Sequence, residues 1–121
     1  MGKYVLAVVD DMFFASKIRA TAEQIGLEVR FVKSAEDALE KARAESPALI
    51  IADLHSTKCD PFDLALQIKA DSSLQSTPLI GFFSHVQTEL QQRAGQSGFD
   101  RVMPRSVFSK NLAEILAGRV S

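Results

Sequence analysis

The stretch from Ala48 to Ser56 constrains the fold of this chain more than any other. It reads ALIIADLHS: the residues from Leu49 to Ala52 run without a polar break and stop at the carboxylate of Asp53. An unbroken apolar run of this kind suits a strand buried on both faces of a parallel sheet. Asp53 then stands at the carboxyl end of its strand, where open α/β sheets place their ligands. The chain makes the same move near its start, where Val5 to Val9 lead into Asp10 and Asp11. If the two strands are neighbours, three carboxylates share one edge of the sheet. Such a group repels itself unless a cation or a proton relieves it. One acidic strand ending would read as a helix cap; two that face each other point to a site.

Strand and helix patterns alternate through the rest of the sequence. Tyr4 to Val9 is the first strand. Phe14, Ile18, Ala22 and Ile25 then lay one apolar face along a helix over Met12 to Ile25, which Gly26 can end. Leu27, Val29 and Phe31 alternate with Glu28 and Arg30, as in a half-exposed strand at a sheet edge. Ser34 and Asp37 resemble a capping box that opens a helix on Ala35, Ala38, Leu39 and Ala42, and Ser46-Pro47 stop it. The Asp53 strand follows, then a polar loop from His55 to Asp60. Asp60-Pro61 supply the cap and first position of a helix carrying Leu64, Leu66 and Ile68. Pro78 introduces a strand over Leu79 to Phe83 that ends at Ser84-His85. Glu89 to Ala94 read as a short helix weakened at its end by Gly95 and Gly98. Asp100 to Met103 form the last strand, and Ser106 or Ser109 caps a final helix bearing Leu112, Ile115 and Leu116.

Five βα units in one domain over residues 1–121 predict an α/β fold. Right-handed crossovers require a five-stranded parallel sheet, doubly wound, with helices on both faces. The alternating second strand belongs at an edge and the two Asp-ending strands at the centre. The flavodoxin-like order 2-1-3-4-5 satisfies both demands and puts the switch point between strands one and three, so the carboxylates converge.

Several function classes are excluded at this stage. A net charge of −1 gives no electrostatic case for nucleic-acid binding. No apolar run approaches the ~20 residues needed to cross a bilayer, and Lys3 opens no signal-peptide pattern. The single cysteine, Cys59, permits no internal disulfide and suits a reducing cytoplasm. Cys59 lacks a paired His or second Cys, so a catalytic thiol is not expected. His55 and His85 flank the expected site without a third nitrogen or sulfur ligand at zinc spacing, and read as solvated loop histidines. One member each of Phe13-Phe14 and Phe82-Phe83 is expected to face the core, with Phe13 and Phe108 exposed. No G-x-S-x-G elbow supports Ser84-His85 as part of a hydrolase triad. A flavin phosphate loop and a P-loop are also absent, and Asp10-Asp11 would repel a phosphate that lacked a cation.

The residues in register across all five units resemble the receiver domain of two-component response regulators, and the likeness spans essentially the whole chain. Val9-Asp10-Asp11 looks like the acidic pair that ends the family's first strand. Leu49-Ile50-Ile51-Ala52-Asp53-Leu54 is similar to the strand with the phosphorylated aspartate. Ser84 stands where the family has a Thr or Ser, Gly98 where a Gly precedes the fifth strand, and Arg105 at the place of its lysine. The resemblance implies that Asp53 is the phosphoacceptor. It implies a Mg²⁺ held by Asp10, Asp11, Asp53 and the backbone carbonyl of His55, with Ser84 and Arg105 binding the phosphoryl group. Hard oxygen ligands suit that ion independently of the resemblance. The implied partners are a histidine kinase or phosphotransfer protein and a downstream protein, with a homodimer as a further option. The domain is expected to stand alone in the cytoplasm, to act as a switch rather than a turnover enzyme, and to bind neither nucleic acid nor membrane.

This chain departs from that pattern at four places. Arg105 replaces Lys and is expected to reach toward Asp53 with altered fork geometry. Ser106 replaces a Pro, Val102 stands where an aromatic residue is frequent, and Thr57 replaces a frequent Pro. The acceptor and metal residues are kept while the relay is altered. Two rivals follow: a pseudo-receiver that binds partners without phosphate, and, more distantly, a small Mg²⁺-dependent phosphohydrolase. The second lacks a general acid two residues after Asp53.

Overall fold

Each apolar run becomes a strand because the sheet is covered on both faces. In the computed structural model, which describes residues 4–55, 60–84 and 88–118, β1 (Val5–Val8), β2 (Val29–Val32), β3 (Leu49–Asp53), β4 (Leu79–Phe83) and β5 (Arg101–Pro104) form one parallel sheet in the order β2-β1-β3-β4-β5. The predicted α/β class and strand order are both found. Val8 pairs with Ala52, so β1 and β3 end side by side, and Asp53 pairs with Phe82 across β3 and β4.

Two apolar layers sandwich this sheet. On one face Leu6, Val8, Ile50, Ala52, Leu54 and Phe83 pack with α2 (Ala35–Ala44), α3 (Pro61–Ala70) and α4 (Thr88–Ser97). On the other, Val5, Ala7, Ile51, Ile80 and Phe82 pack with α1 (Met12–Gln24), α5 (Arg105–Lys110) and α6 (Leu112–Leu116). Successive side chains of a strand point to opposite faces. Phe82 and Phe83 are therefore both buried, one in each layer, which meets the expectation that at least one would face the core. In α1 the expectation holds: Phe14 is buried and Phe13 is 91% exposed.

Capping chemistry decides the element ends. Asp60 accepts hydrogen bonds from the backbone N–H groups of Phe62 and Asp63, with Pro61 at the first helical position, as predicted. Ser34 caps α2 by accepting from the N–H of Asp37. Gly26 takes the left-handed conformation (φ 74°), and the N–H of Leu27 then donates back to the carbonyl of Ala22 at 2.8 Å. That bond keeps Leu27 with the helix end, so β2 begins later than its alternating pattern suggested. α4 runs through Gly95 to Ser97, beyond the predicted Ala94. Gly98 (φ 110°) ends it and lets the Phe99 N–H return to the carbonyl of Ala94.

Two expectations for the last segment are overturned. Neither Ser106 nor Ser109 caps a helix: α5 starts at Arg105 behind Pro104, without a side-chain cap, and Ser109 accepts instead from Lys17. The helix then breaks at Asn111, whose backbone N–H and side-chain amide both donate to the carbonyl of Val107 at 3.1 Å. Phe108 is wholly buried rather than exposed, because its ring stacks on Phe82 at a centroid distance of 4.8 Å and lies 5.7 Å from Phe14. The readings of Thr57, Cys59 and His85 fall outside the described residues. Among the described residues, no helix is long and apolar enough to cross a membrane.

Candidate functional site

The carboxyl edge of β1 and β3 carries the site residues because both strands stop there. β3 ends with Asp53 itself, 8% exposed. β1 ends at Val8, and the chain passes through Val9 and the half-buried Asp10 and Asp11 into α1. Asp11 is the N-cap of that helix: one carboxylate oxygen, Oδ1, accepts from the N–H groups of Phe13 (3.0 Å) and Phe14 (3.3 Å). An ionised carboxylate suits this place, since the helix N-terminus presents unpaired N–H groups and positive partial charge.

The side chain of Arg105 comes to the same edge from the far end of the sheet. Its Nη2 donates to Asp11 Oδ2 at 2.5 Å, and its guanidinium carbon lies 4.3 Å from the centroid of the Phe14 ring. Arg105 was expected to reach toward Asp53; its hydrogen bond instead goes to Asp11. Reach and planarity explain the difference, since a guanidinium can lie flat on an aromatic face while a nitrogen on its rim engages a carboxylate. The Arg105 hydrogen bond holds the carboxyl of Asp11 below the usual carboxylate range, aided by the Phe14 N–H.

Asp53 is perturbed in the opposite direction. Burial pushes its carboxyl upward, and the charge of Asp10 adds to the push. The His55 N–H, which donates to Asp53 Oδ1 at 2.9 Å, opposes the rise, as do the charges of His55 and Arg105. His55 is therefore half-buried and coupled to Asp53, not the solvated loop histidine expected from the sequence. Ser84 directly follows β4 and is exposed; among the described residues it makes no hydrogen bond. It lies two residues beyond Phe82, the register partner of Asp53, and so keeps the Asp53 parity if the extended backbone continues. Val102 is half-buried against the α2–α3–α4 layer and pairs with Gly81.

Three carboxylates at one edge form a hard-oxygen donor set whose chemistry fits Mg²⁺. As placed, however, Asp11 has both oxygens engaged and Asp53 has one. Among the described residues, no three acidic, His or Cys side chains stand together as a ready ligand cluster. The missed residue is Phe14. Its helical spacing marked it only as core, and nothing in the sequence says which buried ring will carry a guanidinium.

No family model matches the chain. An uncharacterized 14.6 kDa protein in the sodA1 3' region of Leptolyngbya boryana is 26% identical over 103 residues, covering 85% of this chain and 79% of that protein. Among solved structures, a response regulator from Hahella chejuensis superposes with a TM-score of 0.87 at 20% identity, over 99% of this chain and 96% of that one. The chemotaxis response regulator CheY4 of Vibrio cholerae gives 0.84 at 21% identity, over 99% and 100%. The phosphorylated cyanobacterial phytochrome response regulator RcpA gives 0.80 at 20% identity, over 98% and 91%. The chain has the fold of response-regulator receiver domains.

Proposed function

We propose that this protein is a receiver-type signalling domain that accepts a phosphoryl group on Asp53 and acts through a protein partner. The observation that carries this reading is the environment of Asp53: a buried carboxylate at the end of a central strand, beside Asp10 and within the field of Arg105. A raised carboxyl is a more basic nucleophile than a solvated one. The His55 N–H holds Oδ1, which fixes the carboxylate and leaves Oδ2 to attack phosphorus in line. One P–O bond forms to Asp53 as the bond from phosphorus to the donor's leaving group breaks, and that group departs with the electron pair. Ser84 would donate its hydroxyl to a phosphoryl oxygen, and Arg105, once released from Asp11, would supply a planar pair of donors. Mg²⁺, held by Asp10, Asp11, Asp53 and the His55 carbonyl, would neutralise charge on the phosphoryl oxygens. The resulting switch is not a turnover enzyme, and its donor would be a histidine kinase or phosphotransfer protein.

Incubation with acetyl phosphate and Mg²⁺ tests the proposal. The chain should gain one phosphoryl mass that hydroxylamine removes and that Asp53→Asn abolishes. If Asp53 is modified neither by this donor nor by beryllium fluoride, under any metal condition, the reading fails. A second reading, the phosphate-independent interaction module, is favoured by one specific observation, the occupation of Asp11 by Arg105. That outcome would replace the first.

A further inference from the structure

Arg105 is anchored at two points, and only one of them is a carboxylate. Its guanidinium lies against the Phe14 ring while Nη2 engages Asp11 Oδ2. Phe14 cannot easily move, because it is buried and its ring centroid is 4.8 Å from that of Phe82 and 5.7 Å from that of Phe108. Asp11 is equally fixed, since its other oxygen caps α1 through the N–H groups of Phe13 and Phe14. The first turn of α1 thus supplies the carboxylate, the cap and the aromatic platform.

We infer that Phe14 is a positioning residue that parks Arg105 on Asp11, so that a divalent cation must displace the guanidinium before it can use that carboxylate. The inference rests on the cation reading given under Proposed function and adds to it a threshold set by an aromatic ring. The arrangement orders the events. Arg105 neutralises part of the acidic edge while no cation is present. A cation that takes Asp11 frees Arg105, and the freed fork becomes available to an anion on Asp53. Two like charges cannot both hold Asp11 Oδ2 at contact distance without strong repulsion, so cation binding and the Arg105–Asp11 contact are linked with opposite sign. A lysine could pair with Asp11 but has no planar face to lay on Phe14, so the threshold belongs to the Arg105–Phe14 combination.

Mg²⁺ titration of the chain, followed through the backbone amides of Asp11 and Asp53 and the side-chain Nε of Arg105, tests this. A half-exposed ion pair and a cation–π contact together predict that Arg105→Ala binds Mg²⁺ about tenfold more tightly than the wild type. Phe14→Leu should tighten binding about threefold although it loosens the core, and should add nothing once Arg105 is alanine. In the wild type Mg²⁺ should shift the Arg105 Nε signal. Lys17→Ala removes a cation of α1 that bonds Ser109 rather than Asp11, and should change affinity less than twofold. Equal affinity in all the variants leaves the cation reading standing and overturns the role of Phe14 and Arg105. So does an equal gain in Lys17→Ala, which would mark a general field effect. Absence of Mg²⁺ binding in every variant overturns the cation reading and this inference with it.

Discussion

Phe108→Ala measures how far the site edge depends on the aromatic group beneath it. Phe108 is wholly buried, and its ring makes two of the three contacts in the Phe14–Phe82–Phe108 group. Removing the ring forfeits about 2–3 kcal/mol of apolar burial and two aromatic contacts of about 1 kcal/mol each. The sum, about 4–5 kcal/mol, agrees with the ~3–5 kcal/mol typical of Phe→Ala in a core. Against a total stability on the order of 5–15 kcal/mol, that loss should lower the melting temperature by roughly 10–20 °C. Phe108→Leu, which keeps most of the apolar volume, should cost only about 1 kcal/mol. Phe13→Ala is the internal comparison: the side chain is 91% exposed and its loss should stay within about 0.5 kcal/mol. Urea and thermal unfolding followed by circular dichroism would give all three values. If Phe108→Ala costs no more than Phe13→Ala, Phe108 is not in the core and the placement of Arg105 over Phe14 loses its foundation.

Asp53→Asn should stabilise the protein near neutral pH. The folded carboxyl is raised above its unfolded value of about 3.9, so its stabilising contribution is complete below that pH and is lost as pH rises through the folded value. The amide gain should therefore fade in acid, and a gain in urea midpoint that does not vary with pH would remove burial of the charge as its cause. Gly98→Ala should cost about 1–3 kcal/mol, since φ is 110° and a Cβ would stand 2.6 Å from Lys69 Cγ. Gly95→Ala, with open space around it inside α4, should gain about 0.5–1 kcal/mol. Equal effects at the two positions, read from denaturant midpoints, would refute the assignment of Gly98 as the helix stop.

The sheet was legible because its signals were local and mutually consistent. Leu49 to Asp53 and Leu79 to Phe83 are apolar without interruption, and only a doubly covered sheet hides both faces of such strands. Asp60-Pro61 and Ser34 announce their helices through chemistry that acts within three residues. What failed was decided by partners distant in sequence. Ser109 looks like a cap in isolation, yet Lys17 claims its hydroxyl and Pro104 starts the helix earlier. Phe108 stands between Ser106 and the polar pair Ser109-Lys110 and reads as exposed; the rings of Phe82 and Phe14, on other elements, bury it.

The site divides along the same line. Strand termini tell which carboxylates reach the edge, and Asp10, Asp11 and Asp53 are there. They do not tell which way a carboxylate turns. An aspartate that begins a helix serves equally as an N-cap and as a cation ligand, and the sequence offers both uses to Asp11. The structure gives it to the cap and to Arg105. Among the described residues, the Arg105 guanidinium makes its hydrogen bond with Asp11 and acts on Asp53 only through its charge. Asp53 keeps a raised carboxyl, from burial first and from Asp10 after it, although the Arg105 field acts the other way. An edge fully neutralised by its own arginine would have no use for a second positive charge. Under the function proposed above, a phosphoryl group on Asp53 would add negative charge to this edge, and a cation would offset it.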